Sequence, residues 1–160
     1  MDKQAVINHL KLQRHPLEGG YFRRTYESEQ DVSCIVGTRK LLTSIYYMLT
    51  DDSPIGFLHK NISDIMHYYH KGEAIKYTLV SPDGNLSEVV LGPEIENGQQ
   101  LQLLVPGGYW KASSLCSGEF SLISEAVSPG FSYTDNQLAT HEVIEQAYPE
   151  IKSQLNAYIK

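Results

Sequence analysis

The chain has 160 residues, of which 41% are hydrophobic and 20% charged, a balance that excludes a disordered or fibrous protein and fits one domain. Nineteen acidic side chains against thirteen basic ones give a formal net charge of −6, with no basic stretch, which argues against nucleic acid as a partner. The start Met1-Asp2-Lys3-Gln4 is polar, and the longest nearly apolar run, 41–49, is far below the roughly 20 residues of a membrane span. A cytoplasmic protein with no membrane partner is expected, its Cys34 and Cys116 at no metal or redox spacing and read as reduced thiols.

In chain order, Asp2 is a helix N-cap, and Val6, Ile7, Leu10 and Leu12 fall near one face of a short helix over about 3–12 that His15-Pro16 ends. From Tyr21 the pattern changes to short runs rich in β-branched and aromatic residues: 21–27, 43–49, 56–60, 66–70, 74–80, 87–91, 101–105, 109–113 and 120–127. Turn chemistry separates them, as in Ser81-Pro82-Asp83-Gly84, Asn97-Gly98, Pro106-Gly107-Gly108 and Ser128-Pro129-Gly130. Strands this short with no helices between them predict an antiparallel sandwich or barrel over about 20–135. After Thr140 the apolar spacing becomes helical again, with Val143, Ile144 and Ala147 followed by Ile151, Leu155 and Ile159. Terminal helices over about 140–159 should therefore cover part of the barrel.

No His-Glu-x-x-His segment or phosphate loop is present. Three of the six histidines, His59, His67 and His70, fall on two consecutive strands. Strand alternation puts His67 and Tyr69 on one face, Tyr68 and His70 on the other, and lets His59 join His67 across the pair. The bland reading of any one of them is a hydrogen-bonded core residue. Gly19-Gly20 and Pro129-Gly130 read as turns, His15-Pro16 as an elbow, and Arg23 and Arg24 as one solvated guanidinium and one paired with Glu18 or Glu27.

The stretch Gly56-Phe57-Leu58-His59-Lys60-Asn61, then Ile65 and Gly72, followed by Val105-Pro106-Gly107-Gly108-Tyr109-Trp110-Lys111, resembles the two motifs of a cupin. A closer resemblance is to the DUF985 (cupin_5) family, an uncharacterised branch of the RmlC-like cupins. It rests on His15-Pro16-Leu17-Glu18-Gly19-Gly20-Tyr21-Phe22-Arg23-Arg24-Thr25-Tyr26, on 43–49, on His59 with Ser63-Asp64, on Val105 to Trp110, and on Val127-Ser128-Pro129-Gly130-Phe131. The resemblance implies an all-β double-stranded β-helix, the cupin jelly-roll barrel, with short N- and C-terminal helices, usually paired as a homodimer. In metal-binding cupins two histidines and a glutamate come from the first motif and one histidine from the second. Those places hold His59, Asn61, Ile65 and Lys111 here, so no cofactor is expected; a divalent metal, disfavoured, would fall to His59 and His67.

The resemblance also reaches metal-free deoxysugar epimerases, which use a histidine base and a tyrosine acid. It implies His59 or His67 as base and Tyr46 as acid, and histidine is the natural base near neutral pH. Arg23, Asn61, Tyr69, Trp110 and Lys111 are the candidate ligand-binding residues. The cationic pair Arg23 and Lys111 suits an anionic ligand, and the lineage a sugar-like one. A non-catalytic binding or sensor module is the alternative, and a metal-dependent enzyme with a degenerate ligand set is the second.

Overall fold

The computed structural model describes residues 1–160. The elements run α1 (Lys3–Leu10), β1 (Gln13–Arg14), β2 (Tyr21–Glu27), β3 (Asp31–Cys34), β4 (Gly37–Lys40), β5 (Thr43–Thr50) and β6 (Ile55–Lys60). They continue with β7 (Asp64–Gly72), β8 (Ile75–Val80), β9 (Leu86–Leu91), β10 (Gln102–Val105), β11 (Trp110–Leu115), β12 (Phe120–Ser128), β13 (Gln137–Leu138), α2 (His141–Ala147) and α3 (Lys152–Leu155). A six-stranded sheet in the order β1-β2-β5-β12-β7-β10 faces a five-stranded sheet in the order β13-β6-β11-β8-β9. Successive strands alternate between the sheets from β5 to β8 and again from β9 to β13, the winding of a double-stranded β-helix, with β8 and β9 a hairpin within the smaller sheet, and every strand pairing is antiparallel.

Apolar residues of one parity fill the space between the sheets: Tyr47, Leu49, Ile75, Tyr77, Leu79, Leu103 and Ile123. The opposite parity is covered as well. Met48, Phe120 and Leu122 on the outer face of the larger sheet pack under Val6 and Leu12. Leu58, Trp110 and Ala112 on the outer face of the smaller sheet pack under Ile144, Leu155 and Ile159. Each of these large side chains contributes about 1.5–3 kcal/mol on burial.

Three features depart from the sequence reading. The Asp2 side chain caps α1 as expected, but the helix ends at Leu10 and leaves Leu12 as a buried anchor beyond it. The expected C-terminal helical region is broken by short 3-10 turns at Pro149–Ile151 and Asn156–Tyr158. The hairpin β3–β4 went unread because its exposed residues give no clean alternation. No helix is long and apolar enough to cross a membrane.

Candidate functional site

Cross-strand register builds the site. His59 on β6 is paired with Lys111 on β11, and His67 on β7 with Glu125 on β12. The two pairs lie on opposite sheets and point at each other, so Lys111 reaches across the barrel. Its Nζ lies 2.8 Å from His67 Nε2 and 3.2 Å from Glu125 Oε1, with His67 Nε2 to Glu125 Oε1 at 3.3 Å. The His67 Nδ1–H donates to the Leu103 carbonyl at 3.3 Å, which leaves Nε2 to accept from Lys111. Burial, followed by the Lys111 charge, pushes the His67 pKa down and keeps the ring neutral. Burial alone would raise the Glu125 pKa, but the Lys111 ammonium beside it outweighs this and holds the carboxyl well below its usual range.

A second cluster closes the nearer end of the barrel. His59 Nδ1–H donates to the Phe57 carbonyl at 2.7 Å, which leaves Nε2 as the outward-turned nitrogen, 3.6 Å from Glu18 Oε2. His15 Nε2 stands at the same distance from that oxygen. Its Nδ1 accepts the backbone N–H groups of Leu17 and Glu18 at 3.2 and 3.0 Å, placing the His15 proton on Nε2. Burial lowers the His15 pKa. Asn136 Nδ2 donates to Glu18 Oε1 at 2.6 Å. The turn that delivers Glu18 needs glycine at its next residue: Gly19 has φ +80° and a Cβ there would run into the Ile55 carbonyl.

Both clusters border an interior cavity of about 30 Å³, whose lining includes His15, Glu18, Phe22, His59, Asn61 and Glu125. That is room for about two waters. Asn61, 8% exposed, borders the cavity, and its buried side-chain oxygen has no hydrogen-bond partner.

Of the residues singled out from the sequence, His59, Asn61, His67 and Lys111 converge on this interior. Tyr46 does not. It lies on the outer face of β5 near α1, edge-on to His70, because its neighbour Tyr47 takes the inward parity and donates to the Gly19 carbonyl. Arg23 also faces outward, 5.8 Å over the Tyr46 ring, while Arg24 borders the cavity but is paired with Glu27 at 2.6 Å. Trp110 is buried under the C-terminal helices and is no pocket wall. Tyr69 faces inward beyond His67, away from the cavity, with its hydroxyl on the Gly72 carbonyl. The residues missed are His15, Glu18 and Glu125. Glu125 had a signal, as the one charged residue of β12.

The sequence model of the cupin superfamily family DUF985 matches residues 4–139. The chain belongs to that family. This DUF985 cupin is 43% identical to an uncharacterised protein of Saccharomyces cerevisiae, over 83% of this chain and 73% of the relative. A hypothetical protein from Leishmania major superposes on it with a TM-score of 0.93 at 30% identity, covering 99% of both chains. A Shewanella oneidensis protein gives 0.91 at 31% identity, over 100% of this chain and 98% of the other. Oxalate decarboxylase from Bacillus subtilis shares the fold at 16% identity and a TM-score of 0.58, and the DUF985 cupin matches 37% of its length.

Proposed function

We propose that this cupin is a metal-independent acid–base catalyst acting on a small anionic or sugar-like metabolite, with His59 as the proton-transferring group. The observation that carries the reading is the pose of His59. Its Nδ1–H is held by the Phe57 carbonyl, and its Nε2 faces a cavity between Glu18 and Asn61. A ring fixed in one tautomer with a bare nitrogen aimed into a water-poor space is a competent base.

In the proposed step, His59 Nε2 takes the proton from a carbon next to the substrate's carbonyl. The C–H electron pair moves into the new carbon–carbon double bond, and the carbonyl oxygen becomes an enolate. Two protons of the Lys111 ammonium are directed at His67 and Glu125, and the third is left for that oxygen on the side where Lys111 borders a smaller recess together with His59 and Asn61. In an α-hydroxy carbonyl substrate, return of that proton from His59 to the former carbonyl carbon, with the α-hydroxyl proton passing to the enolate oxygen, completes an isomerisation. An epimerisation needs the proton delivered to the original carbon from the opposite face by a second acid such as a water. Glu18 stabilises the imidazolium formed on the way.

The donor set does not suit a divalent metal. The Lys111 ammonium occupies the lone pair of His67 Nε2, and the chain has asparagine, isoleucine and lysine at three of the four ligand places of metal-binding cupins. The test is exchange of substrate C–H for deuterium in D₂O, followed by NMR across a panel of small sugars and keto acids. Wild-type protein should catalyse exchange on at least one compound, and His59→Gln should slow it by roughly 10²–10⁴-fold. Equal rates for the two proteins would sink the assignment. The small volume of the cavity favours a second reading, a non-catalytic binding module, since ligand pockets usually span about 300–1,000 Å³. On that reading a compound binds both proteins and neither exchanges it.

A further inference from the structure

Outside the enclosed cavity, the same end of the barrel carries an open groove of about 580 Å³, bordered by Lys60, Asn61, Pro82, Gly107, Asp135 and Asn136 among others. Asn61 borders both spaces and stands between them. Two buried side-chain oxygens at this junction have no partner: Asn61 Oδ1 and Asn136 Oδ1. The orientation of Asn136 is fixed, because its Nδ2 donates to Glu18 and its oxygen is therefore turned away from that bond. A buried acceptor left unpaired costs about 1–3 kcal/mol, so two at one junction are a standing demand for hydrogen-bond donors.

The charges around them point away from an anion. Gly107 N–H is spent on Asp64 and Gly108 N–H on the Asn61 carbonyl, so this turn offers no amide to a phosphate or carboxylate. The only cation bordering the groove, Lys60, has its ammonium 4.7 Å from the Trp110 ring centre. Asp135, which also borders the groove, is neutralised by Arg39 through bonds of 2.7 and 2.6 Å. The cavity is bordered by the carboxylates Glu18 and Glu125 and by one guanidinium, Arg24, which is paired with Glu27, while Lys111 lies behind Glu125 and is matched by it.

We infer that groove and cavity form one two-part site for an uncharged, hydroxyl-rich, sugar-like molecule, whose hydroxyls donate to Asn61 Oδ1 and Asn136 Oδ1. This rests on the acid–base reading and narrows it: the reacting end enters the cavity beside His59, and the body of the molecule lies in the groove. Asn61 and Asn136 select the ligand by what it can donate, and with Arg24 and Lys111 already paired and Lys60 stacked on Trp110 no unpaired cation is left to hold its carboxylated or phosphorylated counterparts.

The experiment compares matched probes by saturation-transfer NMR and calorimetry: D-glucose, D-galactose, D-xylose and myo-inositol against D-glucuronate, D-galacturonate and inorganic phosphate. At least one neutral probe should bind, and each acid should bind more weakly than its neutral parent. Asn61→Leu should weaken binding of the neutral probe at least tenfold while the melting temperature stays level or rises, because an unpartnered buried acceptor has been removed. Asn61→Ala, measured alongside, guards against a clash of the larger side chain. His59→Gln should keep the sugar affinity. Tighter binding of the acids, no binding by any probe, or Asn61 variants that keep the affinity would each overturn the inference. Sugar binding lost in the Asn61 variants but with no His59-dependent exchange would leave the groove assignment standing and remove the catalytic one. Exchange by His59 on an acid, indifferent to Asn61, would do the reverse.

Discussion

With Lys111 replaced by methionine, Glu125 keeps its burial but loses the cation that offsets it, and His67 Nε2 loses its donor. Breaking a buried pair from one side costs about 3–5 kcal/mol, so Lys111→Met should lower the urea midpoint accordingly. Adding Glu125→Gln should recover most of that loss, since an amide in place of the carboxylate removes the buried charge and can donate to His67. A double variant no more stable than Lys111→Met alone would refute the pairing. The same residues set the acid response. The Glu125 pKa is depressed by Lys111 against its burial, so its contribution is fully present above the ordinary carboxylate pKa of about 4.5 and is lost as pH falls below it. His67, lowered by burial and by Lys111, adds to the loss from about pH 6.5 downward, because the unfolded chain takes up its proton first. Stability should therefore fall on acidification. In Lys111→Met the carboxylate part of that fall should shrink or reverse, because burial then raises the Glu125 pKa. At this scale the motif spacing made His59, Asn61 and Lys111 legible. Glu18 and His15 were not, because a turn places them, and no strand alternation reports where a turn residue points.

Among the elements, face assignments were hardest to read where both faces of a strand are covered. In β5 the burial runs through Tyr47, Met48, Leu49 and Thr50 without alternating, since the barrel interior takes one parity and α1 the other. Tyr46 and Tyr47 are then equivalent to a period-two argument, and Tyr47 is the inward one. Trp110 fails for the same reason, its outward face lying under α2 and α3. The strands themselves were legible because turn residues punctuate them. The division between faces also gives an expectation: the helical layer supplies stability and lies on the far side of the small sheet from the cavity. Leu155→Ala, at a fully buried position, should cost about 2–5 kcal/mol in chemical denaturation and leave His59-dependent exchange unchanged at a temperature where the protein is folded. Loss of exchange in folded Leu155→Ala protein would mean that the helices shape the site.

For the molecule as a whole, segments far apart in sequence close the same end of the barrel. Glu18 from the N-terminal arm meets Asn136 from the chain just before β13, and the Gly130 and Phe131 amides tie the approach to that segment to Lys40 and Thr43. The family resemblance made the architecture legible over most of the chain, but the chemistry inside depends on which of the superfamily's ligand places are kept. Here a lysine–glutamate pair spans the interior, and one histidine is left with a free nitrogen. The most direct measurement of that claim is deuterium exchange by protein stripped with chelator, with bound metal quantified in the same sample. The account predicts an undiminished rate at substoichiometric metal and no gain on adding Mn²⁺, Fe²⁺, Ni²⁺ or Zn²⁺, whereas a rate that rises and falls with bound metal would contradict it.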